Sequence, residues 1–290
     1  MRAPFGFSIF RPDYGESMII SGETVTSRSN PALMRSASLK DKKFRRKHGA
    51  FLCDGIKLFY ELCDAGCDIS LIWVNEDMRE RILPLIEEKE KACGREFEIR
   101  LAGNAAFSKL TDENGSEGIV CEAPFIPRHM TGDVMLDCGE RAVMLTSLRD
   151  PGNLGTVARS AHAFNITRLI LTSDCADIYS PKTLRAAMGA VFKLDITVVG
   201  DGAAAVKSIR ESGRRVYAAE LRPGAVSLLD ADIAASDVFI IGNEGTGIPE
   251  NVSREADGSV FIPINARSES LNAAAAAAVL MWHQSLKAMP

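Results

Sequence analysis

The sequence lacks the features that would direct it to a membrane, an oxidising compartment or a metal. No apolar run approaches the roughly 20 residues needed to cross a bilayer. The longest run of small residues, Ala273 to Ala278, is too short and too weakly hydrophobic to do so. The opening MRAPFGFSIF has one basic residue but no apolar stretch ending in a small-residue cleavage site, so no secretory signal is expected. Seven cysteines with no C-x-x-C pair and an odd total argue against a disulfide framework or a structural zinc. The four histidines, His48, His129, His162 and His283, show no H-E-x-x-H or related ligand spacing. A cytoplasmic protein without metal is expected, its cysteines reduced and mostly buried.

What remains is an ordinary soluble composition, 46% hydrophobic and 25% charged, on a chain of 290 residues, enough for two domains with separate cores. The formal net charge of −4 speaks against a nucleic-acid partner, yet the charge is unevenly spread. Between Ser27 and Ala50 stand eight Lys or Arg residues against one acid, Asp41, with Lys43, Arg45, Arg46 and Lys47 in the densest part. Screening confines each charge to about 8 to 10 Å, so this cluster either attracts a phosphate backbone locally or is a solvated basic loop.

Residues 1–26 read as a tail, since 1–17 hold prolines and glycines without a period, and Met18 offers a second start. Over 27–122 the pattern predicts a compact α/β unit. It runs as a helix from Pro31 to about Leu39, the basic loop, a strand at Ala50 to Cys53 and a helix from Ile56 to about Ala65. A second cycle follows, with a helix from Glu76 to Lys91 interrupted by Pro84. Residues 123–136, with Pro124 and Pro127 and no period, read as a linker. Over 137–290, apolar strands starting near Ala142, Arg168, Leu194, Arg215, Val238 and Val260 alternate with helices, which predicts a mostly parallel sheet covered on both faces.

Three segments of this second unit carry candidate chemistry. The first, Leu145 to Phe164, is a strand, an Asp150-Pro151-Gly152 turn and a helix with Asn153 placed as its N-cap. Arg159 falls away from the apolar stripe of Leu154, Val157, Ala158, Ala161 and Phe164. It is either a fixed bidentate cation for an RNA phosphate or an ordinary surface arginine. The second, Val238 to Pro249, sets Gly242, Gly245 and Gly247 after an apolar strand in the order G-x-x-G-x-G. That order and Glu244 disfavour a pyrophosphate-bearing cofactor, while a carboxylate suits a sulfonium such as S-adenosylmethionine. The same glycines also fit a tight turn. The third, Phe261 to His283, leads through Ser268 or Ser270, either of which would cap the alanine-rich helix that follows. The alanines mean either close packing all round, against the sheet or a second subunit, or simple helix propensity.

Taken together, N-x-G-x-x-x-R after one strand, G-N-E-G-x-G after another and I-P-I…S-L-N before a small-residue helix resemble the SpoU (TrmH) family of RNA ribose 2′-O-methyltransferases, of the SPOUT class. N-P-A-L-M-R…R-R-K-H-G-A-F-L-C-D-G resembles the small RNA substrate-binding domain that precedes it in that family. The chain departs at Asp54, where a glutamate is usual, and at Ala187, where a serine is common.

The resemblance implies a trefoil-knotted α/β fold, a mostly parallel sheet with helices on both faces behind a small α/β RNA-binding domain. It also implies a homodimer and S-adenosylmethionine as cofactor. The cofactor would lie against Ala219, Gly242, Asn243, Gly247, Ile262, Pro263 and Leu271. Asn153, Arg159, Glu244, Ser270 and Asn272 would form the catalytic centre, with Arg185 joining Lys43, Arg45, Arg46 and Lys47 in binding RNA. The substrate would be structured RNA, ribosomal ahead of transfer RNA. Two other classes compete: a catalytically silent RNA-binding or assembly protein, and a nicotinamide-dependent dehydrogenase. The retained Asn153, Arg159, Glu244 and Asn272 weigh against the first, and the glycine order against the second.

Overall fold

A computed structural model describes residues 19–112, 116–265 and 270–286. The proposed tail over 1–17, the second start at Met18 and the candidate cap Ser268 lie outside the described residues. The chain forms two compact units, one of residues 1–126 with Tyr179–Pro181, the other of 127–178 with 182–290.

The first unit runs β1 (Ile19–Ile20), α1 (Pro31–Ser38), α2 (Lys42–His48), β2 (Ala50–Asp54), α3 (Ile56–Asp64), β3 (Leu71–Asn75), α4 (Arg79–Cys93), β4 (Glu98–Ala102), α5 (Asn104–Phe107) and β5 (Ile119–Pro124). Its sheet has the order β1-β4-β3-β5-β2, with β5 antiparallel to both neighbours. The buried carboxylate of Glu122 on β5 accepts from Arg35 and, at 2.8 Å, from the Ser36 hydroxyl, which in turn accepts from the Trp73 indole at 3.0 Å. This chain fixes α1 on the sheet, because the buried Glu122, Ser36 and Trp73 have no water to fall back on. Tyr179 stacks between Phe51 and Phe125, with ring centroids 4.4 and 4.6 Å away.

Two expectations change here. The basic loop is the helix α2, capped by the Asp41 carboxylate and closed by Gly49 in the left-handed region. Residues 19–26 are not tail: β1 pairs with β4, and Val25 bridges to Ala102, segments too short to show a period.

The second unit runs β6 (His129–Thr131), β7 (Ala142–Leu145), α6 (Pro151–Ala163), β8 (Arg168–Thr172), α7 (Pro181–Ala187), β9 (Asp195–Val199), α8 (Gly202–Glu211), β10 (Val216–Ala219), β11 (Val226–Ser227), β12 (Val238–Ile241), α9 (Glu250–Ser253), β13 (Gly258–Phe261) and α10 (Ala273–Leu286). Its sheet is parallel throughout, in the order β11-β13-β10-β12-β7-β8-β9-β6. Strand side chains alternate between faces, and both sets are buried. Ala142, Met144, Val216, Val238 and Ile240 join Val206 and Ile209 of α8 in one core. The alternate Val143, Leu145, Phe239 and Ile241 are buried as well, on a unit where α10 packs against α6 and β12. Two covered faces explain why these strands read as continuous apolar runs. A side chain on Gly155 of α6 would strike the Thr183 carbonyl at 2.5 Å, so α6 and α7 lie in near-backbone contact, with Ala187 fully buried beside them.

The expected linker over 123–136 is narrower than its prolines suggest. Ala123 and Pro124 end β5, and His129 to Thr131 form an edge strand on β9. The His129 ring donates from Nε2 to the carbonyls of Val191 and Leu194 at 3.1 and 3.2 Å. Burial dominates those bonds and lowers its pKa from 6.5 to about 4. The unfolded chain therefore takes up this proton at higher pH than the folded one. The contribution is intact above pH 6.5 and is lost as pH falls towards 4. Urea midpoints at pH 7 and pH 5 should show a larger fall for the wild type than for His129→Gln, and equal falls would contradict this reading.

Candidate active site

The site forms at the C-terminal edge of adjacent strands β7, β12, β10 and β13, where an open parallel sheet leaves a crevice. Three loops meet there. The loop after β7 turns at Ser147, whose φ of 54° is rare for a residue with a side chain. It is held by its neighbours: the Ser147 amide donates to the Thr172 hydroxyl at 3.0 Å, its hydroxyl donates to Asp174 at 2.6 Å, and its carbonyl accepts from the Asn243 amide at 2.9 Å. Burial raises the Asp174 pKa, but the hydroxyls of Ser147 and Thr172 outweigh it and leave the carboxyl below its usual range.

The loop continues into α6, and here Asp150, not Asn153, is the N-cap. Its carboxylate accepts from the Asn153 amide at 2.8 Å, with Pro151 in the first helical position. Lys182, 2.8 Å away, holds the Asp150 carboxyl below its ordinary pKa. With its backbone in the first turn, the Asn153 side chain is free to reach across. It donates to Glu244 and accepts from the Asn272 amide at 3.2 Å. Asn272 also takes the place expected for Ser270 as cap of α10: its Oδ1 accepts from the amides of Ala274 and Ala275 at 2.9 and 3.3 Å. Asn153, Glu244 and Asn272, 119 residues apart at the extremes, thus form one hydrogen-bonded group.

Glu244 sits on the glycine loop, which closes on itself. Asn243 and Gly247 exchange backbone bonds at 3.1 and 2.9 Å, and the Asn243 side chain accepts from Gly245 and Thr246. A Cβ on Gly242 would meet the Gly247 carbonyl carbon at 2.4 Å, and Gly247 adopts φ +70°, so both positions require glycine.

Beside this group lies a cavity of about 710 Å³, well within the range of small-molecule sites. Ala219, Gly242, Asn243, Gly247, Ile262, Pro263 and Leu271 all line it, as do Glu244 and Ser270. Among the described residues its lining has two carboxylates, Glu220 and Glu244, and no Lys, Arg or His. That lining opposes a phosphate, and Glu244, with no cation beside it among the described residues, supplies the carboxylate that suits a sulfonium. Sequence reasoning missed Glu220, although its place directly after β10 was the signal.

Other candidates fall elsewhere. Arg159 lies outside the hydrogen-bonded group, exposed on α6 with no hydrogen bond or ion pair among the described residues. Lys43, Arg46 and Lys47 are exposed on α2. Arg45 is a correction: it is buried at 2% exposure, and its guanidinium donates to the carbonyls of Leu39 and Lys40, so packing removes it from the charged face. Arg185 is half-buried in the last turn of α7.

Residues 140–282 match the SpoU rRNA Methylase family, and residues 30–121 match the MRM3-like substrate binding domain. The 23S rRNA (guanosine(2553)-2′-O)-methyltransferase RlmP of Bacillus subtilis is 29% identical over 89% of this chain and 98% of its own. The mitochondrial rRNA methyltransferase 3 of Mus musculus is 30% identical over 54% of this chain, which covers 37% of that protein. An rRNA methyltransferase from Sinorhizobium meliloti, solved with AdoMet bound, is 26% identical with a TM-score of 0.77, covering 93% of this chain and 99% of that one. With the glycine loop, the asparagine pair and these matches in agreement, the chain carries a SpoU rRNA methylase domain over residues 140–282, preceded by an MRM3-like substrate-binding domain over residues 30–121.

Proposed function

We propose that this protein transfers a methyl group from S-adenosylmethionine to the 2′-hydroxyl of a ribose in ribosomal RNA. The observation that carries the reading is the Asn153–Glu244–Asn272 group on the rim of a cavity whose described lining has no basic residue. S-adenosylmethionine, when bound, supplies a methyl group on a sulfonium, open to in-line displacement. The names of the ribosomal RNA enzymes among the relatives favour that RNA over transfer RNA.

The chain's own part is positioning, which can supply much of such a reaction's rate. Backbone of the glycine loop and of Ile262 and Leu271 holds the donor. The remaining amide hydrogens of Asn153 and Asn272 and the second oxygen of Glu244 are placed to orient the ribose. A guanidinium keeps its proton at neutral pH, so Arg159 is not the base. It grips the phosphate beside the target and polarises the hydroxyl, whose proton is lost to solvent with the assistance of that phosphate. Its Cα stands about 9 Å along α6 from that of Asn153, and helical side chains lean towards the N-terminus, which favours reach back towards the site. Lys43, Arg46 and Lys47 on α2 supply further phosphate contacts.

The same reading includes a homodimer and a knot. Val279, Trp282 and Leu286 are 36%, 49% and 42% exposed on one stripe of α10, an apolar surface fit to be covered by a second copy. From β13, the chain returns in α10 to pack against α6, back across β10 and β12, as a threaded path requires.

Three outcomes are expected. Purified protein should methylate ribosomal RNA, and not transfer RNA, from cells lacking it. Arg159→Ala should cut that rate at least about 100-fold while the Kd for S-adenosylhomocysteine shifts less than about two-fold. Comparable activity in the variant would remove the role of Arg159. Light scattering should find a dimer that Trp282→Glu converts to monomer, and an unchanged mass would remove this surface from the interface.

A further inference from the structure

The cofactor reading leaves Glu220 unexplained, and its surroundings are unusually built for a carboxylate at the edge of a cavity. Glu220 follows β10, one strand over from the Glu244 loop, and its backbone is fixed by a bond of 3.0 Å to the Val260 carbonyl. Its Oε1 accepts from the hydroxyls of Ser253 and Ser259 at 2.5 and 3.0 Å and lies 3.1 Å from Arg222 Nε. Ser253 and Ser259 are themselves buried, and Arg222 also donates to Ser253 at 2.9 Å. Two hydroxyl donors and a guanidinium therefore converge on one oxygen. The other, Oε2, accepts no hydrogen bond among the described residues, on a residue that lines the 710 Å³ cavity.

An ionised carboxylate only accepts hydrogen bonds, so whatever meets Oε2 must be a donor. S-adenosylmethionine offers three kinds: the ammonium of its amino-acid end, the adenine amino group and the two ribose hydroxyls. Arg222 already balances the charge of Glu220, which removes most of the attraction for a second cation and favours a neutral donor. Position agrees. Adjacent strands are about 4.8 Å apart, so Glu220 stands one strand further than Glu244 from the Asn153 end of the site, where the methyl must be delivered. A pinned carboxylate one strand away from the reacting group is suited to a sugar diol, as acidic residues after strands in nucleotide-binding sheets are.

We infer that Glu220, held by Ser253, Ser259 and Arg222, is a specificity-determining residue of the cofactor pocket that accepts hydrogen bonds from the ribose hydroxyls of S-adenosylmethionine. This rests on the methyl-donor reading of the same cavity. It makes the pocket selective for the nucleoside part of the ligand, independently of the amino-acid part.

Calorimetry on the full chain tests it with three probes: S-adenosylhomocysteine, 5′-methylthioadenosine, which lacks the amino acid, and S-inosylhomocysteine, which lacks the adenine amino group. Glu220→Gln keeps an acceptor for both serines but loses the charged one, and should raise each Kd by the same factor, about ten-fold. A loss confined to S-adenosylhomocysteine and S-inosylhomocysteine would move the contact to the ammonium, and a loss absent with S-inosylhomocysteine would move it to adenine. Either overturns the inference, as does an unchanged Kd for all three. Failure of the wild type to bind any probe would instead remove the methyl-donor reading, and this one with it.

Discussion

The site depends on a short run of amide hydrogen bonds that begins at the first turn of α10 and ends on the glycine loop. Asn272 spends its oxygen on capping α10 and its nitrogen on Asn153, and Asn153 spends its own nitrogen on Glu244. An asparagine has one acceptor oxygen and two N–H donors, so this order fixes which way each amide faces. Bonds between such partly exposed groups each contribute only about 1 kcal/mol. Their importance is geometric: the start of α10, the first turn of α6 and the loop after β12 are held in one arrangement.

That arrangement rests on the sheet beneath it. Parallel pairing of β7 with β12, and of β12 with β10, brings three strand ends to one edge, and burial on both faces keeps the strands from slipping. Close backbone approach then sets the loops. There is no space for a side chain at Gly242 against Gly247, or at Gly155 against α7. The strained turn at Ser147 is stabilised by Asp174, Thr172 and Asn243, so the loop carrying Asn153 is tied both to β8 and to the glycine loop.

Much of this was legible in the sequence because the signals were strong and local. Apolar runs such as Val238 to Ile241 marked the strands, and glycines and asparagines just beyond them marked the cavity wall. Other features were hidden for physical reasons. In α2, five of seven residues are Lys or Arg, which masks the helical period, and only the packing shows that Arg45 turns inward. At α6, Asp150 and Asn153 are both good caps, and the proline between them, favoured at the first helical position, was the discriminating cue. Edge strands β1, β6 and β11, of two or three residues, carry no periodicity at all. Glu220 was invisible for another reason: its meaning comes from Ser253 and Ser259, more than thirty residues away.

The central claim is that Asn153 and Asn272 work as one unit. A double-mutant cycle on methyl transfer, measured as kcat/KM for the wild type, Asn153→Ala, Asn272→Ala and the pair, addresses it directly. The account predicts that the double variant loses little more activity than the worse single one, since either change breaks the same connection. Losses that multiply would show the two residues acting independently and would contradict it.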